Sequence, residues 1–115
     1  MIIKAKEMEK KQRARLKDGF GTTDFLHIVP DELRPKKSRL FSVMSLEKGC
    51  SVGRHDHTGE TEIYYVLQGE GLINDNGIIR PFLTGDCNVC GNGDFHSVSN
   101  ENDATLKILA VIILD

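Results

Sequence analysis

The chemistry of the stretch Gly49 to Gly69 (GCSVGRHDHTGETEIYYVLQG) is concentrated in three residues that can all serve as metal ligands, His55, His57 and Glu62. A further candidate, His96, lies beyond it. Strand side chains alternate between two faces, so His55 and His57 leave an extended strand on the same side, whereas on a helix they would diverge. Imidazole nitrogens with one carboxylate oxygen suit a divalent transition ion, and Mn, Fe, Co, Ni, Cu and Zn are all compatible; the alkaline earths prefer more oxygen. An exposed His-Asp-His loop would also contain the histidine pair, so the wider pattern has to decide. Glu60 shares the strand parity of Glu62 and competes with it as the carboxylate, although its place nearer a turn suits a solvated or supporting role. Tyr64 has the same parity, consistent with facing a cavity or lining a core. Tyr64, Glu60, Arg54 and Arg80 are the candidates for polar work near such a centre. His27 reads as an ordinary strand histidine.

These residues need strands to position them. Glu62 to Leu67 is rich in β-branched and aromatic residues and stops at Gln68-Gly69, so it reads as a strand returning after a Thr58-Gly59 turn and bringing Glu62 back beside the histidines. Upstream, Asp24–Val29 and Arg39–Leu46 read as strands, separated by a polar loop from Pro30 to Lys37. Downstream, Glu70–Asn74 and Ile78–Arg80 flank Asn76-Gly77, a strong hairpin signal. Cys87–Cys90 and Phe95–Val98 are short strands between glycine-rich turns, and Thr105–Leu114 is a strongly apolar final strand. Lys4 to Lys17 is rich in helix formers but has only a weak apolar stripe, which leaves a short helix, an exposed arm and an edge strand all open. Many short strands with little convincing helix predict an all-β barrel or jelly roll.

The chain has 115 residues, the size of one domain with a real core. Its division is read as an N-terminal arm and first strand over 1–38, part of the same domain as the barrel over 39–115. A content of 39% apolar and 28% charged residues with a net charge of −2 describes an ordinary folded protein and gives no indication of nucleic-acid binding. The charge is uneven: residues 1–39 carry eleven Lys/Arg against six Asp/Glu, and the remainder carries four against eleven. This basic beginning reads as a solvated face. No run approaches the ~20 apolar residues of a membrane span, and the first residues lack a signal peptide's apolar region, so a cytoplasmic location is expected. Three cysteines, Cys50, Cys87 and Cys90, fit reduced thiols. Cys87 and Cys90 are three apart and face opposite sides of a strand, a poor arrangement for a disulfide or a shared ion.

Gly49, His55, His57, Glu62 and Gly69 follow the spacing G-x5-H-x-H-x4-E-x6-G, and Gly85, Gly93, His96 and Asn100 follow G-x5-P-x-G-x2-H-x3-N with Gly91 in the proline's place. This resembles the two motifs of the cupins. The resemblance implies a double-stranded β-helix or jelly-roll barrel, here with an N-terminal arm or short helix, and an ion between its sheets bound by His55, His57, Glu62 and His96. It also implies a small-molecule ligand and a homodimer. Small single-domain cupins include dioxygenases, oxalate-type decarboxylases, sugar-phosphate isomerases and epimerases, and sugar- or acid-binding proteins without turnover. The expectation is therefore a metal-dependent enzyme on a small oxygenated substrate, with a metal-assisted binding protein as the alternative.

Overall fold

Alternating apolar and polar residues between glycine-, asparagine- and aspartate-rich turns produce ten strands in the computed structural model, which describes residues 1–115. They are β1 (Glu9–Ala14), β2 (Thr22–His27), β3 (Ser38–Leu46), β4 (Ser51–Asp56), β5 (Glu60–Gln68), β6 (Glu70–Asp75), β7 (Ile78–Leu83), β8 (Cys87–Cys90), β9 (Phe95–Ser99) and β10 (Leu106–Leu114). Helical structure is limited to three single turns of 3-10 type at Ala5–Glu7, Leu16–Asp18 and Asp31–Leu33. No helix is long and apolar enough to cross a membrane.

The strands form two sheets, one of six in the order β1-β2-β3-β10-β5-β8 and one of four in the order β4-β9-β6-β7. Every strand pair is antiparallel. The larger sheet turns Phe25, Met44, Val66, Leu106, Ile108 and Ala110 inward, and the smaller one opposes them with Val52, Ile73, Phe82 and Val98. Burial of both inner faces closes one core, as a double-stranded β-helix requires. The strand β10 pairs with β3 on one side and β5 on the other, which explains its near-continuous apolar sequence.

Local chemistry accounts for the turns. Asn76 and Gly77 both have positive φ, 51° and 96°, the backbone of a tight hairpin between β6 and β7. Pro81 is tolerated because β7 is the edge of its sheet. Gly69 combines a φ of 78° with a site where a Cβ would sit 2.5 Å from the Thr105 carbonyl oxygen, so a side chain is excluded twice over.

Two expectations change. Of the arm, short helix and edge strand open for Lys4–Lys17, the chain adopts the edge strand: Glu9–Ala14 pairs in register with Thr22–His27. Both faces of β1 are exposed, so a helix there would have gained no burial to offset the pairing lost. The second change concerns β4 and β5, which do not form a hairpin. They lie in opposite sheets, β4 beside β9 and β5 between β10 and β8, so Glu62 approaches the histidines across the interior.

Candidate metal centre

The four expected ligands meet where the two sheets face each other. His55 is on β4, His57 directly follows that strand, His96 is on β9 and Glu62 is on β5. His55 and His96 are cross-strand partners, and a register irregularity between Val52 and His55 re-aims the end of β4. His57, Glu62 and His96 are buried and His55 is partly so. One donor atom from each of the four lies within 4.8 Å of every other. Glu62 Oε1 is 3.3 Å from His55 Nε2, 3.1 Å from His57 Nε2 and 2.9 Å from His96 Nε2.

The opposite ring nitrogens determine what those donors can do. His55 Nδ1 donates to the Gly53 carbonyl at 2.8 Å, His57 Nδ1 to Glu60 Oε2 at 2.6 Å, and His96 Nδ1 to Asn88 Oδ1 at 2.8 Å. Each acceptor places the proton on Nδ1, which leaves the three Nε2 atoms as lone pairs aimed at one point and at a carboxylate oxygen. His57 Nε2 and His55 Nε2 lie 3.3 Å and 3.1 Å from His96 Nε2, too close for bare lone pairs without a shared cation or proton. A divalent transition ion satisfies all four at once, so the donor set fits such an ion.

The surrounding charges agree. When the cluster holds protons in place of an ion, burial opposes ionisation of Glu62, but hydrogen bonds with His55, His57 and His96 outweigh it and hold the carboxyl far below the usual range. The Glu62 hydrogen bond raises His57, whereas burial dominates at His96 and lowers it. Glu60 lies outside the four-residue cluster. It accepts from His57 and receives the Arg39 guanidinium at 2.9 and 2.8 Å, and the Arg39 hydrogen bond is foremost in holding its carboxyl down to about 2. Tyr64 stacks on the His96 ring at 4.5 Å, and burial, followed by the Glu62 charge, pushes its phenol up.

A cavity of about 280 Å³ opens from this cluster, with Tyr64, Glu60 and apolar side chains of β2 and β3 in its walls. Arg54 and Arg80 do not line it: Arg54 stacks over the Phe95 ring at 3.8 Å, and Arg80 is exposed on β7. His27 is outside the ligand cluster, as expected of it, yet it lines the cavity with its Nδ1 held by Ser42 Oγ at 2.6 Å. Sequence reasoning missed Asn88, Arg39, Arg13 and Lys17. Asn88 had a usable signal, since an amide two residues before a buried strand cysteine has the inward parity.

The sequence profile described as the cupin domain matches residues 42–112. An oxalate-binding protein of Thermotoga maritima is 40% identical over 114 residues, covering 99% of this chain and 94% of that one. The crystal structure of a predicted oxalate decarboxylase from Thermotoga maritima superposes with a TM-score of 0.93 at 39% identity, covering 100% of both chains. A sugar phosphate isomerase of the cupin superfamily from Silicibacter pomeroyi, at 22% identity, shares the fold with a TM-score of 0.74 over 93% of this chain and 73% of that one. With the two-sheet barrel and both motifs in place, a profile match over more than half the chain and a relative similar across nearly all of it, this chain belongs to the cupin family.

Proposed function

We propose that the protein binds a divalent transition ion through His55, His57, Glu62 and His96, and uses that ion to bind a small carboxylic acid of the oxalate class. The observation that carries this reading is the convergence of three Nε2 lone pairs and Glu62 Oε1 at the floor of a cavity. Were the bound ion six-coordinate, four protein ligands would leave two positions for a chelating acid. The ion, when bound, supplies Lewis acidity and a means of orienting carboxylate oxygens. The chain's residues do the rest: Glu60, clamped by Arg39, fixes the His57 ring, Asn88 fixes His96, and the apolar walls limit water. Glu60 is committed to two partners, and burial raises the Tyr64 phenol above its usual range, which makes it a weak acid. This favours acid binding over turnover that would use Glu60 or Tyr64 as its acid or base.

The test is elemental analysis of untagged protein, calorimetry with oxalate and an assay for its consumption. Stoichiometric metal and oxalate binding, both lost in His96→Ala, are expected. Protein that takes up no transition ion, or that binds oxalate equally well without one, would sink the reading.

We further propose that residues 1–38 extend the same domain, that the three unpaired cysteines serve in a reducing, cytoplasmic compartment, and that the protein is a homodimer. Support for the dimer lies on the outer face of the six-stranded sheet. There Leu26, Val43, Leu109 and Tyr65 form one apolar row across β2, β3, β10 and β5, and Phe41, Val111, Ile63 and Val89 form the next across β3, β10, β5 and β8. Tyr65 and Val89 are 43% and 58% exposed, and a continuous apolar sheet face of this kind is suited to a second copy of itself.

A further inference from the structure

The inner face of the larger sheet extends past the smaller one. Arg13 pairs with Thr23 and Lys11 with Phe25, and both Thr23 and Phe25 turn inward. Arg13 therefore projects on the cavity side of the sheet, at an edge that no opposing strand covers. It lines the same cavity as the histidine cluster, and so does Lys17 from the turn that follows β1. The chain's ion pairs involve Arg34, Arg39, Lys48 and the histidines, so both cations are free. Arg39, the third cation of the lining, is already spent on Glu60. Between the free cations and the ligand cluster much of the wall is apolar, with Leu16, Phe25, Leu40, Met44, Val52 and Ile112, and Asp56 and His27 are the polar side chains that complete it.

The turn that carries Lys17 is held firmly. Arg15, Lys17 and Asp18 have positive φ (53°, 54° and 64°) although none is glycine, a conformation that persists only where the surroundings enforce it. The surroundings do so here: Asp18 N–H donates to the Arg15 carbonyl, Gly19 N–H to the Leu16 carbonyl, and Arg15 N–H to the Gly21 carbonyl. The Lys17 carbonyl also lies against Gly53, two residues before His55. The cationic turn is thus built onto the strand that carries the first ligand.

We propose that Arg13 and Lys17 form a second anion subsite, so that the preferred ligand is a dicarboxylate longer than oxalate. One carboxylate lies at the metal, the other at the β1–β2 turn, and an aliphatic spacer rests on the apolar wall. This rests on the metal-and-acid reading above. The cavity's size agrees: at ~30 Å³ per water it has room for about nine, more than a two-carbon diacid fills.

The experiment is calorimetry on the metal-loaded full chain with oxalate, succinate and glutarate, and with butyrate and valerate as the one-charge controls. Wild-type protein is expected to bind succinate or glutarate about tenfold or more tightly than the monoacid of equal length, a gain that falls with added salt. Arg13→Gln combined with Lys17→Gln removes the preference while metal stoichiometry stays unchanged and oxalate affinity falls less than succinate or glutarate affinity, and Arg13→Lys with native Lys17 retains it. Equal affinity for diacid and monoacid in the wild type, or a preference that survives the double substitution, overturns the proposal while the metal-and-oxalate reading stands. Loss of oxalate binding in metal-loaded wild-type protein overturns both.

Discussion

Each imidazole of the centre is anchored by a different acceptor, so the anchors can be tested one at a time. Glu60→Gln keeps an acceptor for His57 Nδ1 but loses the charge and the paired Arg39. Metal affinity is expected to fall roughly 10- to 100-fold with the barrel intact, read by competition against a chromophoric chelator and by circular dichroism. An unchanged affinity would show that the Arg39–Glu60–His57 chain does not tune the ligand. The cysteines give a pH-dependent readout. Burial, followed by the charges of Asp94 and Glu62, pushes the Cys90 thiol up to about 12 from 9.0, so folding favours its protonated form. That stability is complete below pH 9.0 and is lost as pH rises toward 12. Alkylation of native protein at pH 8 should therefore modify exposed Cys87 and spare Cys90 until the chain unfolds. Co-modification of both in native protein would contradict the buried placement. At this scale the cluster of His55, His57, Glu62 and His96 was legible because residue type and spacing carry it. The contacts of Arg39 and Asn88 were not, because Arg39 reaches Glu60 across 21 positions and Asn88, whose inward parity could be read, reaches His96 from the opposite sheet.

Strand existence was also readable from alternation and turn chemistry, but strand partnership was not. The Thr58-Gly59 turn suggested a hairpin, whereas the chain crosses there from the smaller sheet to the larger, because Ile108, Ala110 and Ile112 of β10 offer β5 a longer apolar partner than the six-residue β4 does. β4 is instead located by β9 and by the turn after β1. Gly53 shows how closely: a Cβ there would sit 1.9 Å from the Lys17 carbonyl oxygen. Gly53→Ala should lower stability by roughly 1–3 kcal/mol and also weaken metal binding, since β4 must shift with His55 on it. Gly85→Ala is the control. It has open space but a φ of 92°, so it should cost a similar roughly 1–3 kcal/mol through backbone strain while leaving metal affinity alone. Denaturant titration with parallel metal titration separates the two, and equal metal affinities in both variants would refute the coupling of β4 position to the centre.

For the whole molecule, the apolar rows on the outer face of the larger sheet predict self-association. Tyr65→Lys with Leu109→Lys places two charges side by side in one row. Light scattering should show the wild type at twice the monomer mass and this variant as a monomer that still binds metal, because both side chains point away from the cavity. A monomeric wild type would end the dimer proposal. The position of β10 has a different consequence, for biosynthesis. The last strand of the larger sheet to be made is the one that joins β3 to β5. At ~5–20 residues per second, the stretch from the end of β8 at Cys90 to the end of β10 at Leu114 takes roughly 1–5 s to translate, against milliseconds to seconds for folding of a small all-β domain. Through that interval β2–β3 and β5–β8 wait as two separate apolar fragments, which makes the nascent chain, rather than the finished barrel, the species most in need of a chaperone.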